Sequence, residues 1–109
     1  MFGFSSAARF FICKEAIDMR KGFEGLSNLV DIMFKAKITS GAFFVFINKN
    51  RNRVKVIYWD IDGLVIWYKR LEKGSFSLKH LNQNQVNRKD FLMLLEGVVP
   101  KQLKRRFSL

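Results

Sequence analysis

The sequence predicts an α+β fold in one domain over residues 1–109, with a mostly antiparallel β-sheet, a long central hairpin and two main helices. The expected order is β-α-β-β-β-(β)-α, with the helices on one face of the sheet. Three observations predict this fold. The sequence has short apolar segments typical of strands, an Asp-Gly pair between two of these segments, and two further segments in which apolar residues recur at spacings of three and four. A chain of this length buries roughly two-thirds of its unfolded surface, which is enough for one core.

The first predicted elements follow a short lead-in over residues 1–8. A strand is expected over residues 9–17 and a helix over residues 21–35. Asp18 ends the strand and is expected to cap the helix, because its side-chain oxygen can accept from backbone N–H groups at the helix start. The apolar residues expected on the packed face of this helix are Phe23, Leu26, Val30, Met33 and Phe34.

Three further strands are predicted over residues 42–47, 54–61 and 64–71. Residues 76–81 are a candidate for one more strand. A second helix is expected after a polar bridge over residues 82–85. Its predicted N-cap is Asn87, Asp90 lies in its first turn, and Gly97 and Pro100 end it before a basic tail over residues 101–109.

The turn of the central hairpin is predicted at Asp62 and Gly63, because both residues tolerate the positive φ of a type I′ turn. Such a turn sets the strand register. One face is then expected to pair Ile61 with Leu64, Trp59 with Ile66, Ile57 with Tyr68 and Lys55 with Arg70. The other face pairs Asp60 with Val65, Tyr58 with Trp67, Val56 with Lys69 and Val54 with Leu71. Because both faces are apolar near the turn, we expect the second face to be covered by a helix, a second copy of the chain or a ligand.

Charge is the main functional signal in the composition. Twenty Lys and Arg residues against nine Asp and Glu residues give a net charge of +11. Residues 1–62 carry ten cations and six acids, whereas residues 63–109 carry ten cations and three acids. This excess favours association with polyanions, chiefly nucleic acid. A basic solvated surface, an anionic membrane and an acidic protein partner are the alternatives that charge alone leaves open.

Cations cluster in sequence at the end of the hairpin that lies away from its turn. They are Lys49, Arg51, Arg53, Lys55, Lys69, Arg70 and Lys73, and Glu72 is the one acid among them. Like charges repel unless an anion lies between them, and phosphates suit both Lys and Arg. We therefore predict nucleic-acid contact here, with Tyr58 and Tyr68 stacking on bases. The alternative is a solvated sheet end beside core aromatics.

Two smaller patterns each have two interpretations. Arg20 and Lys21 beside Asp18 are a candidate phosphate seat at a helix start, or simply the start of the helix. Asp60 and Asp62 form an Asp-x-Asp pair that would suit magnesium in a nuclease, or they serve the turn. Turn chemistry is the favoured explanation, because an Asp in an Asp-Gly turn has a purely conformational role.

Motifs for catalysis or cofactor binding are missing from the sequence. His80 is the only histidine, which excludes a His-based triad and a multi-His metal site. We therefore expect a protein that is not an enzyme and has no catalytic residues, metal or cofactor. Cys13, the only cysteine, is expected to be a buried small hydrophobe, which fits a reducing compartment. Without a signal-peptide pattern or an apolar run of about 20 residues, the expected location is the cytoplasm, away from membranes.

Several motifs in one order carry a family resemblance. They are Asp18-Met19-Arg20-Lys21-Gly22, Tyr58-Trp59-Asp60-x-Asp62-Gly63-Leu64, Tyr68-Lys69-Arg70-Leu71-Glu72-Lys73-Gly74 and Leu94-Leu95-Glu96-Gly97. Over residues 10–98 the chain resembles the accessory proteins of insertion sequence sixty-six type elements, which are products of the second open reading frame often called TnpB. It departs from them after Phe76, where Ser77-Leu78 replaces a frequent Trp-Pro pair.

The resemblance implies a role in transposition beside a separate, larger transposase that holds the catalytic acids. DNA binding through the basic sheet end is the first hypothesis for that role. The alternative is an adaptor for the transposase that makes no direct DNA contact and uses the apolar hairpin face around Trp59 and Ile66. Self-association into a homo-oligomer is open in both cases.

Overall fold

A computed structural model describes residues 7–79, 81 and 83–96. In chain order the elements are β1 (Phe10–Ala16), α1 (Phe23–Phe34), a 3-10 turn (Ile38–Ser40), β2 (Phe43–Ile47), β3 (Arg53–Asp60), β4 (Gly63–Arg70), β5 (Gln85–Val86) and α2 (Arg88–Leu95). The predicted α+β class is confirmed. Some expectations concern residues outside this described part of the chain. They are those for His80, Gly97, Pro100, the tail and most of the lead-in.

The five strands found among the described residues form one sheet in the order β4-β3-β2-β1-β5. Three of the neighbouring pairs are antiparallel, and β1 with β2 is parallel, so the mostly antiparallel prediction is confirmed. Parallel neighbours need a crossover connection, and α1 supplies it between β1 and β2. The carboxyl ends of β1 and β2 therefore meet at the same edge of the sheet.

The two helices cover opposite faces of the sheet, and the prediction that they share one face is wrong. All five residues of β2 are buried, and successive strand residues point to opposite faces. Phe44 packs with Leu26 and Val30 of α1 in one core. Phe43 packs with Phe91 of α2 in the other core. Because β2 is apolar on both faces, each face needs its own cover, and a helix provides it in both cases.

Local hydrogen bonds decide where each helix begins. The predicted N-cap at Asp18 is wrong: α1 begins after Gly22, which makes no side-chain cap. The Asp18 carboxylate instead accepts from the backbone N–H of Arg20 at 2.9 Å and forms a turn ahead of the helix. The predicted cap of α2 is confirmed, because Asn87 Oδ1 accepts from the Asp90 backbone N–H at 2.8 Å.

The segment after the hairpin packs as core without forming a strand, so the candidate strand over residues 76–81 is wrong. Phe76, Leu78 and Leu81 are buried in the core on the α2 side. The Phe76 N–H donates to the Arg51 carbonyl in the turn between β2 and β3 rather than to a strand ladder. The fifth strand, β5, lies instead at the end of the predicted polar bridge and pairs with β1.

The hairpin forms with its turn one residue earlier than predicted. Ile61 and Asp62 occupy the turn, and Gly63 begins β4. The observed pairs include Trp59 with Leu64, Ile57 with Ile66, Lys55 with Tyr68 and Arg53 with Arg70. This slip of two residues keeps the predicted contents of each face and changes only the partners. It places Lys55 across from an aromatic ring rather than across from Arg70, and it leaves Ile61, 89% exposed, at a φ of 52°.

Candidate nucleic-acid interface

The open end of the hairpin brings three of the seven predicted cations onto one face of the sheet. Arg53 pairs with Arg70 in the last residue pair of β3 and β4, and Lys55 pairs with Tyr68 one step further on the same side. Arg53, Lys55, Tyr68 and Arg70 are called the basic strip below. Lys49 and Arg51 lie in the turn between β2 and β3, next to the start of β3, and both are exposed.

Contacts within the basic strip orient its side chains. Lys55 Nζ lies 4.9 Å from the centre of the Tyr68 ring and donates to the Lys21 carbonyl oxygen at 2.9 Å. Arg53 Nη1 lies 3.4 Å from Tyr68 Oη, and the Tyr68 residue is 48% exposed. The cation–π contact and the hydrogen bond hold Lys55 in place. Tyr68 therefore presents part of its ring to solvent between two cations.

Acidic neighbours neutralise the seven cations only in part. Within the described residues, Arg70 is the one of the seven with a carboxylate partner, Glu72 Oε1 at 3.1 Å. Both side chains of that pair are more than half exposed, so it adds little to stability. Arg53 and Arg70 carry like charges directly across a strand pair, an arrangement that destabilises a sheet.

Two residues predicted to contact nucleic acid lie on the other face of the hairpin, where strand alternation had placed them. Lys69 Nζ donates to the Leu95 carbonyl oxygen at 2.8 Å and so satisfies the last turn of α2. Tyr58 packs on Phe43 with ring centres 4.6 Å apart, and burial is the main cause that raises its pKa. The expectation that Tyr58 stacks beside the cations is therefore wrong. Lys73 is exposed in the loop after β4.

An open cleft of about 560 Å³ lies at the carboxyl ends of β1 and β2 and is called the β1–β2 cleft. The loop after β1 contributes Asp18 and Arg20, whereas Lys49, Asn50 and Arg53 come from the turn after β2 and the start of β3. From the sequence, Arg20 was assigned to a candidate phosphate seat and Lys49 to the cations at the open end of the hairpin. The β-α-β order was the available signal, because a parallel pair brings the loops after its two strands together.

Asp18 and Arg20 form the ion pair that lines this cleft. Arg20 Nη2 lies 2.7 Å from Asp18 Oδ2, and Arg20 Nε contacts both carboxylate oxygens. Hydrogen bonds from the Arg20 side chain, followed by the one from its backbone N–H, lower the pKa of Asp18 from 3.8 to about 2. The same pairing raises the pKa of Arg20. Asp18 therefore stays ionised at any pH above about 3.

Replacing Arg20 by alanine is expected to return the pKa of Asp18 from about 2 towards 3.8, because the dominant hydrogen bonds are lost. In the wild type, ionised Asp18 stabilises the folded protein fully at pH values above its unfolded pKa. This stabilisation is lost as the pH falls through about 2. The midpoint of the Asp18 carboxyl carbon chemical shift in an acid titration measures this pKa. Lys21→Ala is the matched control with a small expected shift, because the charge of Lys21 contributes least to lowering the pKa of Asp18. An unchanged Asp18 midpoint in Arg20→Ala would contradict the assignment.

The remaining predicted residues lie near the turn of the hairpin and in the core. Asp60 and Asp62 are exposed there, and within the described parts of the chain no group of three or more His, Cys, Asp or Glu residues is placed to hold a metal ion. Ile66 is half-buried against the core on the α1 side, and Trp59 is half-buried on the same face of the hairpin. Cys13 is buried as predicted, which raises its pKa. Among the described helices, none is long and apolar enough to span a membrane.

Comparison with known proteins gives one family match and two relatives. The family model described as "IS66 Orf2 like protein" matches residues 8–105. The uncharacterized protein y4jC of Sinorhizobium fredii (strain NBRC 101917 / NGR234) is 31% identical over 108 residues, covering 97% of this chain and 92% of the relative. The uncharacterized protein y4hO of the same organism is 35% identical over 68 residues, covering 62% of this chain and 59% of the relative.

No solved structure matches the chain at a significant level. The family match covers nearly all of the described fold, including the hairpin, the basic strip and the loops of the β1–β2 cleft. It agrees with the resemblance carried by the motifs at Asp18, Tyr58 and Leu94. The chain belongs to the IS66 Orf2-like protein family and is an accessory protein of an insertion sequence.

Proposed function

We propose that this protein assists transposition by binding DNA through the basic sheet end, without being an enzyme, in the cytoplasm. The proposed phosphate contacts are Lys49, Arg51, Arg53, Lys55, Arg70 and Lys73. Lys69 is left out of the contact set, because its side chain lies on the face opposite the basic strip, where its ammonium donates to the Leu95 carbonyl oxygen.

One observation carries the proposal: Arg53 and Arg70 face each other across the last strand pair with one exposed carboxylate, Glu72, beside them. A folded protein gains nothing from this repulsion by itself. A DNA phosphate between the two guanidinium groups would relieve it and accept charge-assisted hydrogen bonds from both. The half-exposed ring of Tyr68 beside them would stack on an unpaired base.

A salt titration of binding to DNA from the ends of the element tests this function. Each phosphate neutralised on duplex DNA contributes about −0.9 to the slope of log affinity against log salt, so four to six contacts predict a slope of roughly −4 to −5. Fluorescence anisotropy at several potassium concentrations measures it. A slope near zero, or the absence of binding at low salt, would remove the proposal.

An adaptor for the transposase is the second candidate function, and the position of β4 favours it. This strand has eight residues and lies at the edge of the sheet. Its middle is apolar, with Ile66 half-buried and Trp59 on the neighbouring strand half-buried on the same face. An edge strand of this length offers backbone groups to a partner strand, with adjacent apolar side chains to add specificity.

The two functions differ in their response to salt. An adaptor complex built on the β4 edge and apolar side chains would survive at about 0.5 M salt, where phosphate contacts are largely lost. Co-purification of the tagged protein with the element's transposase at high salt tests it, with an Ile66→Lys variant as the comparison. Recovery of no transposase from the wild type would exclude the adaptor role and leave DNA binding as the function.

A further inference from the structure

We propose that the β1–β2 cleft binds a phosphate monoester at the end of a DNA strand. This inference rests on the proposed function and deepens it, because it gives the protein a site for strand ends beside the basic strip for duplex backbone. The groups that carry it are Arg20, Lys49 and Arg53, which come from three different segments and line one volume.

Position in the fold is the first argument. In open α/β sheets, ligands bind in the crevice outside the carboxyl ends of the parallel strands, and the β-α-β unit of this α+β fold forms a crevice of the same kind. The β1–β2 cleft occupies that place for the one parallel pair of this sheet. Its volume of about 560 Å³ falls in the usual range for small-ligand sites. A concave site of this kind suits a strand terminus better than the convex side of a duplex.

Charge is the second argument. Three cations and one acid, Asp18, line the cleft, so its net charge is +2. A phosphate monoester carries about −1.5 to −2 charges at pH 7, whereas a phosphate inside a strand carries one. A monoester therefore neutralises the charge of the cleft, whereas an internal phosphate diester would neutralise only half of it. Uncharged amide side chains at Asn50 and Asn52 complete the wall and are suited to hydrogen bonds with sugar or base.

Preorganisation is the third argument. Asp18 engages Nε and Nη2 of Arg20, which favours one orientation of the exposed guanidinium and leaves its Nη1 edge for a ligand. Across the cleft, Asn48 Oδ1 accepts from the backbone N–H groups of Asn52 at 3.0 Å and Arg53 at 2.9 Å. Asn48 Nδ2 also donates to Asn52 Oδ1 at 2.7 Å. These bonds close the turn that carries Lys49, so this wall is shaped before a ligand arrives, which lowers the cost of binding.

The test compares short oligonucleotides that differ only at one end. The 5′-phosphate, 3′-phosphate and hydroxyl-terminated forms of one single strand are labelled at the other end and titrated by anisotropy at fixed salt. Wild-type protein is expected to bind one phosphorylated form on the order of tenfold more tightly than the hydroxyl form, as expected from one charge-assisted contact. Arg20→Ala and Lys49→Ala are each expected to reduce that preference to about twofold or less.

The matched control is Lys37→Ala, which removes one exposed cation next to the 3-10 turn and away from the cleft, and which should keep the preference. Circular dichroism melts show that each variant is folded. Equal affinity of the wild type for all three strands overturns the cleft assignment and leaves salt-dependent DNA binding intact. The same preference in Arg20→Ala, Lys49→Ala and wild type also overturns it.

A second measurement separates the source of the phosphate and does not depend on binding to DNA. Amide shifts of labelled protein are followed while a deoxynucleoside 5′-monophosphate or inorganic phosphate is added. A strand end is supported as the ligand if the amide chemical shifts of Arg20, Lys49 and Asn50 change at a lower concentration of the nucleotide than of inorganic phosphate. Equal responses to both ligands, or shifts confined to the basic strip, count against it.

Discussion

The Arg53→Ala/Arg70→Ala double variant is expected to bind DNA about 10- to 100-fold more weakly than wild type at low salt. Removing two phosphate contacts should also make the log–log salt slope less steep by about 1.8. Because the two arginines face each other across β3 and β4, their removal relieves a like-charge pair. The double variant should therefore unfold at the same temperature as wild type or slightly higher, which distinguishes lost binding from lost folding.

Anisotropy titrations and thermal melts on the same samples measure both quantities. The matched control is Lys37→Ala/Lys89→Ala, which removes two exposed cations outside the basic strip. Its affinity should fall much less, because those charges contribute only to the general field of the protein. Retention of wild-type affinity and slope by the arginine variant would show that the basic strip is not the DNA contact. The transposase adaptor would then be the better-supported role.

Phe44→Ala is expected to destabilise the fold by about 3–5 kcal/mol, a large part of the total stability of a domain of this size. The Phe44 ring is fully buried in the core on the α1 side. It lies 5.5 Å from the ring centre of Phe11 and 5.4 Å from that of Phe34. Its removal leaves a cavity between α1 and the sheet, and the melting temperature should fall on the order of 15 °C.

Phe23→Ala is the control for the same chemical change, since Phe23 lies on α1 but is 51% exposed. It should cost less than about 1 kcal/mol. Phe91→Ala, which empties a fully buried position on the opposite face, should cost about as much as Phe44→Ala. Urea unfolding of the three variants measures the differences. Equal stability of Phe44→Ala and Phe23→Ala would contradict the two-core description.

Predictions based on the residues of one segment held best. The cap at Asn87 depends only on a side chain reaching three residues along the chain, and it was correct. The hairpin faces were also correct, because the observed turn has two residues like the predicted one, so the register slips by two and every strand residue keeps its face. Asp18 was assigned wrongly, since its carboxylate has two local uses and pairs with Arg20 instead of capping α1. Residues 76–78 alternate like a strand but meet no strand partner.

The basic strip was partly predictable for the same reason. Lys55 and Arg70 were expected on one face, because strand alternation and a two-residue turn place them there. Arg53 lies on the same face because β3 begins one residue earlier than predicted. Lys69 was grouped with them by its position in the sequence. Its ammonium instead serves the Leu95 carbonyl oxygen, and this contact depends on α2 lying over that face.

The sequence by itself determined the α+β class, the order of the main strands and helices, the contents of the hairpin faces and the excess of cations near its open end. These depend on periodicity, turn residues and charge, which are properties of short segments. Only the tertiary structure decided that α1 and α2 cover opposite faces, that β1 runs parallel beside β2, and that Arg20 meets Lys49 in one cleft. Such neighbours are chosen by the burial of distant apolar surfaces against each other, and no local pattern records which surfaces will meet.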